Sequence, residues 1–265
     1  MTKKYLIGSH IDNINDVPKK SNIVQLFKNN KILNKKNKNE IENKVVHASY
    51  SINLANNWDD YSWWIDLFID EILYSAEINA MFIVIHLGKR LKLTKEETLN
   101  NMFTSLLHVH NKTKKANNVK ILIETSAGQG TETCFLLEDL AYFYKKISKH
   151  ENIEFKNRFG ICLDTCHIFA AGYDISNSKN IKHFLNKFNK LIGIEHIKLI
   201  HLNDSKYKVG SMIDRHENIG IGYIGKKALL CIAKFFIKKN IPIILETPNK
   251  YHNKEINFLR TIFKQ

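Results

Sequence analysis

Short apolar runs recur along the chain, each followed by polar residues and then a longer amphipathic stretch. The runs are 5–7 (Tyr-Leu-Ile), 23–27 (Ile-Val-Gln-Leu-Phe), 44–46 (Lys-Val-Val), 81–85 (Met-Phe-Ile-Val-Ile), 119–123 (Val-Lys-Ile-Leu-Ile), 159–163 (Phe-Gly-Ile-Cys-Leu), 197–200 (Ile-Lys-Leu-Ile) and 241–245 (Ile-Pro-Ile-Ile-Leu). Strands covered on both faces read as near-continuous hydrophobic runs, so these are eight buried strands. Residues 61–78, 95–110, 132–147, 179–192 and 226–238 carry apolar residues at helical spacing. Strands alternating with helices imply a parallel sheet, and eight repeats imply closure. The expectation is an α/β fold, a (β/α)8 barrel of the TIM type. Its helix ring should be incomplete near the N-terminus, where the first two connections are too short or too polar for full helices. No Pro/Gly/Ser linker divides the sequence, so residues 1–265 are expected to form a single barrel domain.

The residue after each run carries the chemistry. His47 follows Val45-Val46, His86 follows Ile85, Glu124 follows Ile123, Asp164 follows Leu163, His201 follows Ile200 and Glu246 follows Leu245. In a barrel these positions share the rim that carries catalysis. A single such residue is most often a turn cap or a core histidine. Six on one rim would repel one another or lie unsatisfied unless a cation were bound among them. Asp164-Thr-Cys-His167 adds an imidazole three residues after an acid, on the loop leaving a strand. Asp214-Arg-His216 places the same pair at i and i+2, so an extended segment points both to one side. Five His (47, 86, 167, 201, 216) and four carboxylates (124, 164, 214, 246), without thiolate, suit zinc or manganese in a hydrolytic site. Nine donors exceed the need of one or two tetrahedral ions, so three ions with one bridging carboxylate is the economical arrangement. Three divalent ions against four carboxylates would leave an excess of about +2 to attract and polarise a phosphate.

Composition narrows the class. The 265 residues include 40 Lys or Arg against 26 Asp or Glu, a net charge of +14, with 44% hydrophobic and 25% charged residues. A buried core is therefore within reach, and disorder, coiled coil and collagen are excluded. The excess of positive charge reads equally as a nucleic-acid footprint or as drift toward Lys and Asn, visible in Asn34-Lys-Lys-Asn-Lys-Asn39. No stretch approaches the roughly 18 apolar residues of a membrane span. The apolar run at 5–7 is too short for a signal peptide, and Cys134, Cys162, Cys166 and Cys231 show no disulfide spacing. A soluble intracellular protein is expected.

These residues, with their surroundings, resemble the endonuclease IV family of apurinic/apyrimidinic (AP) DNA endonucleases. The resemblance is carried by His47-Ala-Ser-Tyr50-Ser-Ile-Asn53-Leu54, Glu124-Thr-Ser-Ala-Gly-Gln-Gly130 and Gly160-Ile-Cys-Leu-Asp164-Thr-Cys-His167-Ile-Phe-Ala-Ala-Gly172-Tyr-Asp174. It continues in His201-Leu-Asn-Asp204-Ser-Lys206, Gly210-Ser-Met-Ile-Asp214-Arg-His216 and Leu245-Glu246-Thr. It runs in order from the first strand to about Pro248. It implies one zinc on His47, His86 and Glu124, and a second on Glu124 (bridging), Asp164, His201 and Glu246. It implies a third on His167, Asp214 and His216, with manganese an alternative at one site. The implied substrate is double-stranded DNA containing abasic sites. The implied reaction is metal-activated hydrolysis of the phosphodiester 5′ to the lesion, leaving a 3′-hydroxyl and a 5′-deoxyribose phosphate. Glu246 is the residue expected to orient or activate the nucleophile and Glu124 to bridge two ions, within a monomer.

The DNA grip departs from the family pattern. The usual His-Pro-Gly-Ser-His reads His86-Leu-Gly-Lys89-Arg90 here. Tyr50 stands where the family places a DNA-penetrating Tyr, but Ser51 replaces the bulky apolar residue usual after it. The segment up to His47 is short, and Lys28-Asn-Asn-Lys31-Ile-Leu33 replaces an Arg-bearing loop. Tyr50, Lys31, Lys89 and Arg90 are the expected DNA contacts.

Other signals are read as local structure. Gly220-Ile-Gly222-Tyr-Ile-Gly225 spells GxGxxG but follows a charged loop rather than a strand, so it is a turn and not a dinucleotide site. Gly128-Gln-Gly130 is a loop turn at least as readily as a phosphate cradle. Trp63 and Trp64 fit helix packing, Asp204 orients a ligand or caps a turn with equal weight, and Cys162 is inert core. His10, after the first strand, is placed to support a ligand. Two rival functions stand beside the main one. A sugar isomerase or epimerase on the related barrel leaves Asp214-x-His216 and the positive charge unexplained. A DNA-damage binding protein would not need Glu246.

Overall fold

The computed structural model describes residues 5–28 and 41–263. Eight parallel strands close into a barrel: β1 (Ile7–His10), β2 (Ile23–Phe27), β3 (Asn43–His47), β4 (Phe82–Ile85), β5 (Lys120–Glu124), β6 (Phe159–Asp164), β7 (Ile197–His201) and β10 (Ile243–Leu245). Each pairs with its neighbour in sequence, and β10 returns to pair with β1, Ile7 opposite Ile243 and Gly8 opposite Ile244. Two further strands of two residues, β8 (Asp204–Ser205) and β9 (His216–Glu217), form a small antiparallel ladder outside the barrel. All eight predicted runs are strands. β1 begins two residues later than the apolar run and ends on His10, which is therefore part of the strand.

The helices are α1 (Trp63–Glu77), α2 (Lys95–Lys112), α3 (Leu137–Ser148), α4 (Ile153–Arg158), α5 (Thr165–Ala170), α6 (Ser178–Leu191), α7 (Lys226–Lys238) and α8 (His252–Ile262). Each predicted helical stretch holds one of them. α3 starts at Leu137, because 132–136 runs as loop over the rim. The connection from β1 to β2 holds only a three-residue 3-10 turn, Ile14–Asp16, so the ring is open there as expected.

Strand periodicity builds the interior in two layers. Alternate strand residues point to one face, and Ile23, Val45, Val84, Leu122, Cys162, Leu199 and Ile244 meet as an apolar plug. Two residues further along the same strands lie Gln25, His47, His86, Glu124, Asp164, His201 and Glu246. The plug thus forms a dry floor beneath a polar layer. The opposite strand face packs with the helices in the larger core, which includes Phe68, Phe143, Phe155, Phe188 and Phe236. β1 contributes no side chain at Gly8, where a Cβ would collide with the Ile23 carbonyl oxygen. That close approach requires glycine.

Candidate metal centre

His47, Glu124, Asp164 and His201 are the last residues of their strands, while His86 and Glu246 stand one residue beyond. The remaining three donors come from outside the barrel staves. Asp164 accepts the His167 backbone N–H at 2.9 Å and so caps α5, which puts His167 inside a helix rather than on the expected loop. Asp214 and His216 arrive from the β8–β9 hairpin, where the Asp214 N–H donates to Gln129 Oε1 at 2.9 Å.

The nine side chains fall into three clusters, each with ligand atoms within 4.8 Å of one another: His47, His86 and Glu124; Glu124, Asp164, His201 and Glu246; His167, Asp214 and His216. Glu124 belongs to two of them with one oxygen each. Its Oε2 is 3.2 Å from both His47 Nε2 and His86 Nε2, and its Oε1 is 2.8 Å from His201 Nδ1. Asp164 Oδ2 lies 3.8 Å from His201 Nδ1 and 3.6 Å from His216 Nε2, joining the second cluster to the third. Asp214 Oδ1 stands 3.2 Å from both His167 Nε2 and His216 Nε2. Those two nitrogens are buried and make no hydrogen bond.

The far sides of the rings are tied down. His47 Nδ1 donates to the Ala48 carbonyl at 2.8 Å, His167 Nδ1 to Thr125 at 2.8 Å, and His216 Nδ1 to Glu246 at 3.2 Å. His201 Nε2 donates to Gln25 Oε1 at 2.8 Å. In the neutral ring each bond fixes the tautomer whose other nitrogen turns its lone pair to the cluster, the arrangement metal-binding imidazoles need.

Gln25 and Asn203 are the parts of the site that the sequence reading missed. Gln25, wholly buried, also donates to Glu246 Oε1 at 2.6 Å. Asn203 Nδ2 donates to Asp164 Oδ2 at 2.6 Å and to Glu246 Oε2 at 3.3 Å, while its Oδ1 accepts the Glu246 N–H at 2.8 Å. A lone amide within the apolar run 23–27 was the available signal for Gln25. Asn203, in the turn after β7, lay within the block His201-Leu-Asn-Asp204 but was given no role there.

The electrostatics follow from crowding. Burial alone would raise Glu124, but the imidazoles of His86, His201 and His47 packed against it hold it well below the usual carboxylate range. Burial likewise opposes the ionised form of Glu246, yet His201 outweighs it and keeps the carboxyl far below its ordinary value. Desolvation lowers His86 to about 4, so that ring is neutral, the form that binds a cation. His216 is raised to about 9 because Asp164 and Asp214 overcome its burial.

Above the second and third clusters lies a cavity of about 260 Å3 lined by His10, Phe27, Tyr50, His216, Glu246 and others. Tyr50 is 68% exposed, with its ring centroid 5.1 Å from that of His47 and 5.6 Å from that of His86. Lys89 and Arg90 are exposed on the loop after His86. Lys31 lies outside the described residues. Asp204 caps a turn: its carboxylate accepts backbone N–H groups from Gly220, Gly222, Ile224 and Gly225, so the GxGxxG segment closes around an internal anion. Cys162 is buried in the plug, with its thiol pushed up to about 12. Among the described residues, no helix is long and apolar enough to cross a membrane.

This fold and rim define the class: residues 24–262 match the family described as xylose isomerase-like TIM barrels. A probable endonuclease 4 from Buchnera aphidicola subsp. Acyrthosiphon pisum is 40% identical over 220 residues, covering 82% of this chain and 75% of that protein. The chain therefore belongs to the endonuclease 4 family of these barrels, a family of enzymes. The crystal structure of endonuclease IV from Thermus thermophilus superposes with a TM-score of 0.74 at 22% identity, covering 98% of this chain and 97% of that one. A D-tagatose 3-epimerase-like protein follows at 0.71 and 18% identity, covering 98% and 96%. Barrel shape is thus common to both chemistries, and it is the sequence relatives that separate them.

Proposed function

We propose that this chain is a divalent-metal-dependent AP endonuclease. It hydrolyses the phosphodiester 5′ to an abasic site in duplex DNA and leaves a 3′-hydroxyl and a 5′-deoxyribose phosphate. The observation that carries the reading is the linked rim, three clusters of His, Asp and Glu joined through the two oxygens of Glu124 and through Asp164.

The residues fit metal ions on their own chemistry. Two buried imidazole nitrogens, on His167 and His216, converge on one Asp214 oxygen without hydrogen-bonding to it. Imidazole and carboxylate donors suit zinc, with manganese acceptable at one position. His47, His86 and Glu124 would hold one ion, and Glu124, Asp164, His201 and Glu246 a second. His167, Asp214 and His216 would hold the third. Bound there, the ions supply Lewis-acid charge to a phosphate and lower the pKa of water.

The chain's own groups do the rest. Glu246 stays ionised and borders the cavity, so it can accept a proton from the attacking water. Gln25 and Asn203 hold its two oxygens in place. Phe27 and Tyr50 wall the cavity with apolar rings, a surface suited to a sugar whose base is gone. Such a nucleotide costs least to leave the stack. Lys89 and Arg90 stand free to reach phosphates. All nine donors come from one chain, so a monomer suffices.

The test is a duplex carrying one tetrahydrofuran abasic analogue, which cannot undergo β-elimination, incubated with metal-replete protein, chelated protein and Glu246→Gln. A nick with a 3′-hydroxyl is expected only from the first. Absence of cleavage by metal-replete protein would overturn the reading and make sugar isomerisation the next assay.

A further inference from the structure

Helices α6 (Ser178–Leu191) and α7 (Lys226–Lys238) are neighbours on the flank of the barrel. Neither contains an Asp or Glu, whereas the other long helices, α1, α2, α3 and α8, each do. In α1 the bias is reversed, with Asp66, Asp70, Glu71 and Glu77 and no Lys or Arg. A uniform drift toward lysine would not spare one helix and leave two neighbours without acids.

Between α6 and α7 runs a groove of about 460 Å3, lined by half-buried Leu185, Ile194 and Phe235 and by exposed Cys231, Lys182 and Lys239. Lys239 Nζ lies 5.3 Å from the centroid of the Phe235 ring. Among the described residues, the one ion pair made by these two helices joins Lys187 to Glu138 at 2.8 Å, so Lys182 and Lys239 have no carboxylate partner. Glu195, next to Ile194, faces His196 at 3.8 Å instead. An apolar floor in water, bordered by unpaired cations, marks a contact surface.

We propose that the α6–α7 groove docks an acidic amphipathic helix of a partner protein. This goes beyond the reaction proposed for the rim and does not depend on it. Leucine-like side chains at i, i+3, i+4 and i+7 would fill the floor, and the carboxylates between them would meet the lysines. Ser178 to Asn189, both on the lining, span about 17 Å at 1.5 Å per residue, the length of about three helical turns. Duplex DNA answers the lysines alone, since its charged backbone has no side chain to enter an apolar groove. The acidic face of α1 in a second copy is a poorer occupant. Its Asp70 is already paired with Lys28, and a contact between unlike patches of one chain builds open filaments rather than a closed dimer. Ile194 and Lys239 lie past the ends of α6 and α7, on the side away from the metal-ligand rim, so an occupied groove leaves the rim open.

The groove carries its own reporter. Cys134, Cys162 and Cys166 are buried, which leaves Cys231 as the exposed thiol. The probe is a fluorescent helical peptide of about 12 residues, matched to the groove's length, with leucines at i, i+3 and i+4 spacing and glutamates elsewhere. Added to the full-length protein, it should slow N-ethylmaleimide alkylation of Cys231 several-fold, with the site read by mass spectrometry. The same peptide with alanine for leucine should not, nor should duplex DNA of equal charge. In anisotropy titrations Lys182→Glu with Lys239→Glu should weaken peptide binding about tenfold, two exposed ion pairs having become repulsions. Cys231→Trp, which fills the groove without changing charge, should weaken it as well. Both variants alter exposed positions and should melt with the parent.

Unprotected Cys231 at saturating peptide overturns the proposal, as does parent-like binding by both variants. Equal protection by the alanine peptide or by DNA also overturns it, since the surface then responds to charge alone. So does a self-association of the parent that shields Cys231, because a second copy would then be the occupant.

Discussion

Gln25 is the side chain on which the second cluster's geometry turns. Its carbonyl orients His201 and its amide orients Glu246, so one neutral residue fixes a base and an acid at once. Gln25→Leu would leave His201 Nε2 and Glu246 Oε1 short of partners in a buried site. We expect it to weaken metal retention about 10- to 100-fold and to cost on the order of 1–3 kcal/mol of stability. Competition with a chelator and urea unfolding measure the two effects. Glu246→Gln should behave differently, keeping the fold while lowering kcat about 100- to 10,000-fold; unchanged kcat would remove Glu246 from proton transfer. A pH effect belongs to His110, far from the rim. Its burial first, and Arg158 beside it second, hold its pKa below the ordinary 6.5. The folded state thus resists protonation that the unfolded chain accepts below about pH 6.5. Stability should be unaffected by His110 above that pH and fall as the pH drops beneath it. His110→Gln should make that fall shallower in thermal melts between about pH 6.5 and 5, the range below an ordinary histidine pKa.

At the level of elements, the pattern of an apolar residue followed two places later by a donor was legible because strands have a period of two. Val45 and His47, Leu122 and Glu124, Leu199 and His201 each put floor and ligand on one face. Helices α4 and α8 were missed for want of a long apolar stripe. The placement of His167 was misread because α5 begins directly at Asp164, where a strand's last residue doubles as a helix cap. Hydrogen bonds between distant segments, such as Gln129 to Asp214, leave no mark in a single sequence. Asp204 shows how one such cap serves the site. Ser205, next to it, pairs with His216 in the β8–β9 ladder. Asp204→Ala should free the turn 219–225 and loosen His216. We expect the loss of about one metal equivalent and faster proteolysis in that turn, with the first cluster's occupancy intact, since a buried acceptor removed from several donors costs on the order of 1–3 kcal/mol or more. Metal analysis beside limited proteolysis checks it, and retention of full metal content would show that the third cluster stands without the cap.

For the whole molecule, the charge of +14 gains direction from the fold. Lys89, Arg90, Lys206, Lys208 and Arg215 are all exposed on loops that follow β4 and β7, at the end of the barrel that carries the His, Asp and Glu clusters. Binding to duplex DNA should weaken with salt, log K falling by about 0.9 per phosphate contact against log salt, and Lys89→Glu with Arg90→Glu should reduce that slope by about 1 to 2. An unchanged slope would place those two side chains away from the DNA. The barrel's closure has a consequence for biosynthesis. Glu246 stands one residue past β10, and β10 is the stave that locks against β1. Translation must therefore pass residue 246 before the last opening can shut and the second cluster can receive its final carboxylate. A ribosome-bound fragment that stops short of that point carries up to eight of the nine donors in an unclosed sheet. The cell is thereby spared a half-made nuclease, because competence to cut arrives with one of the last strands to be synthesised.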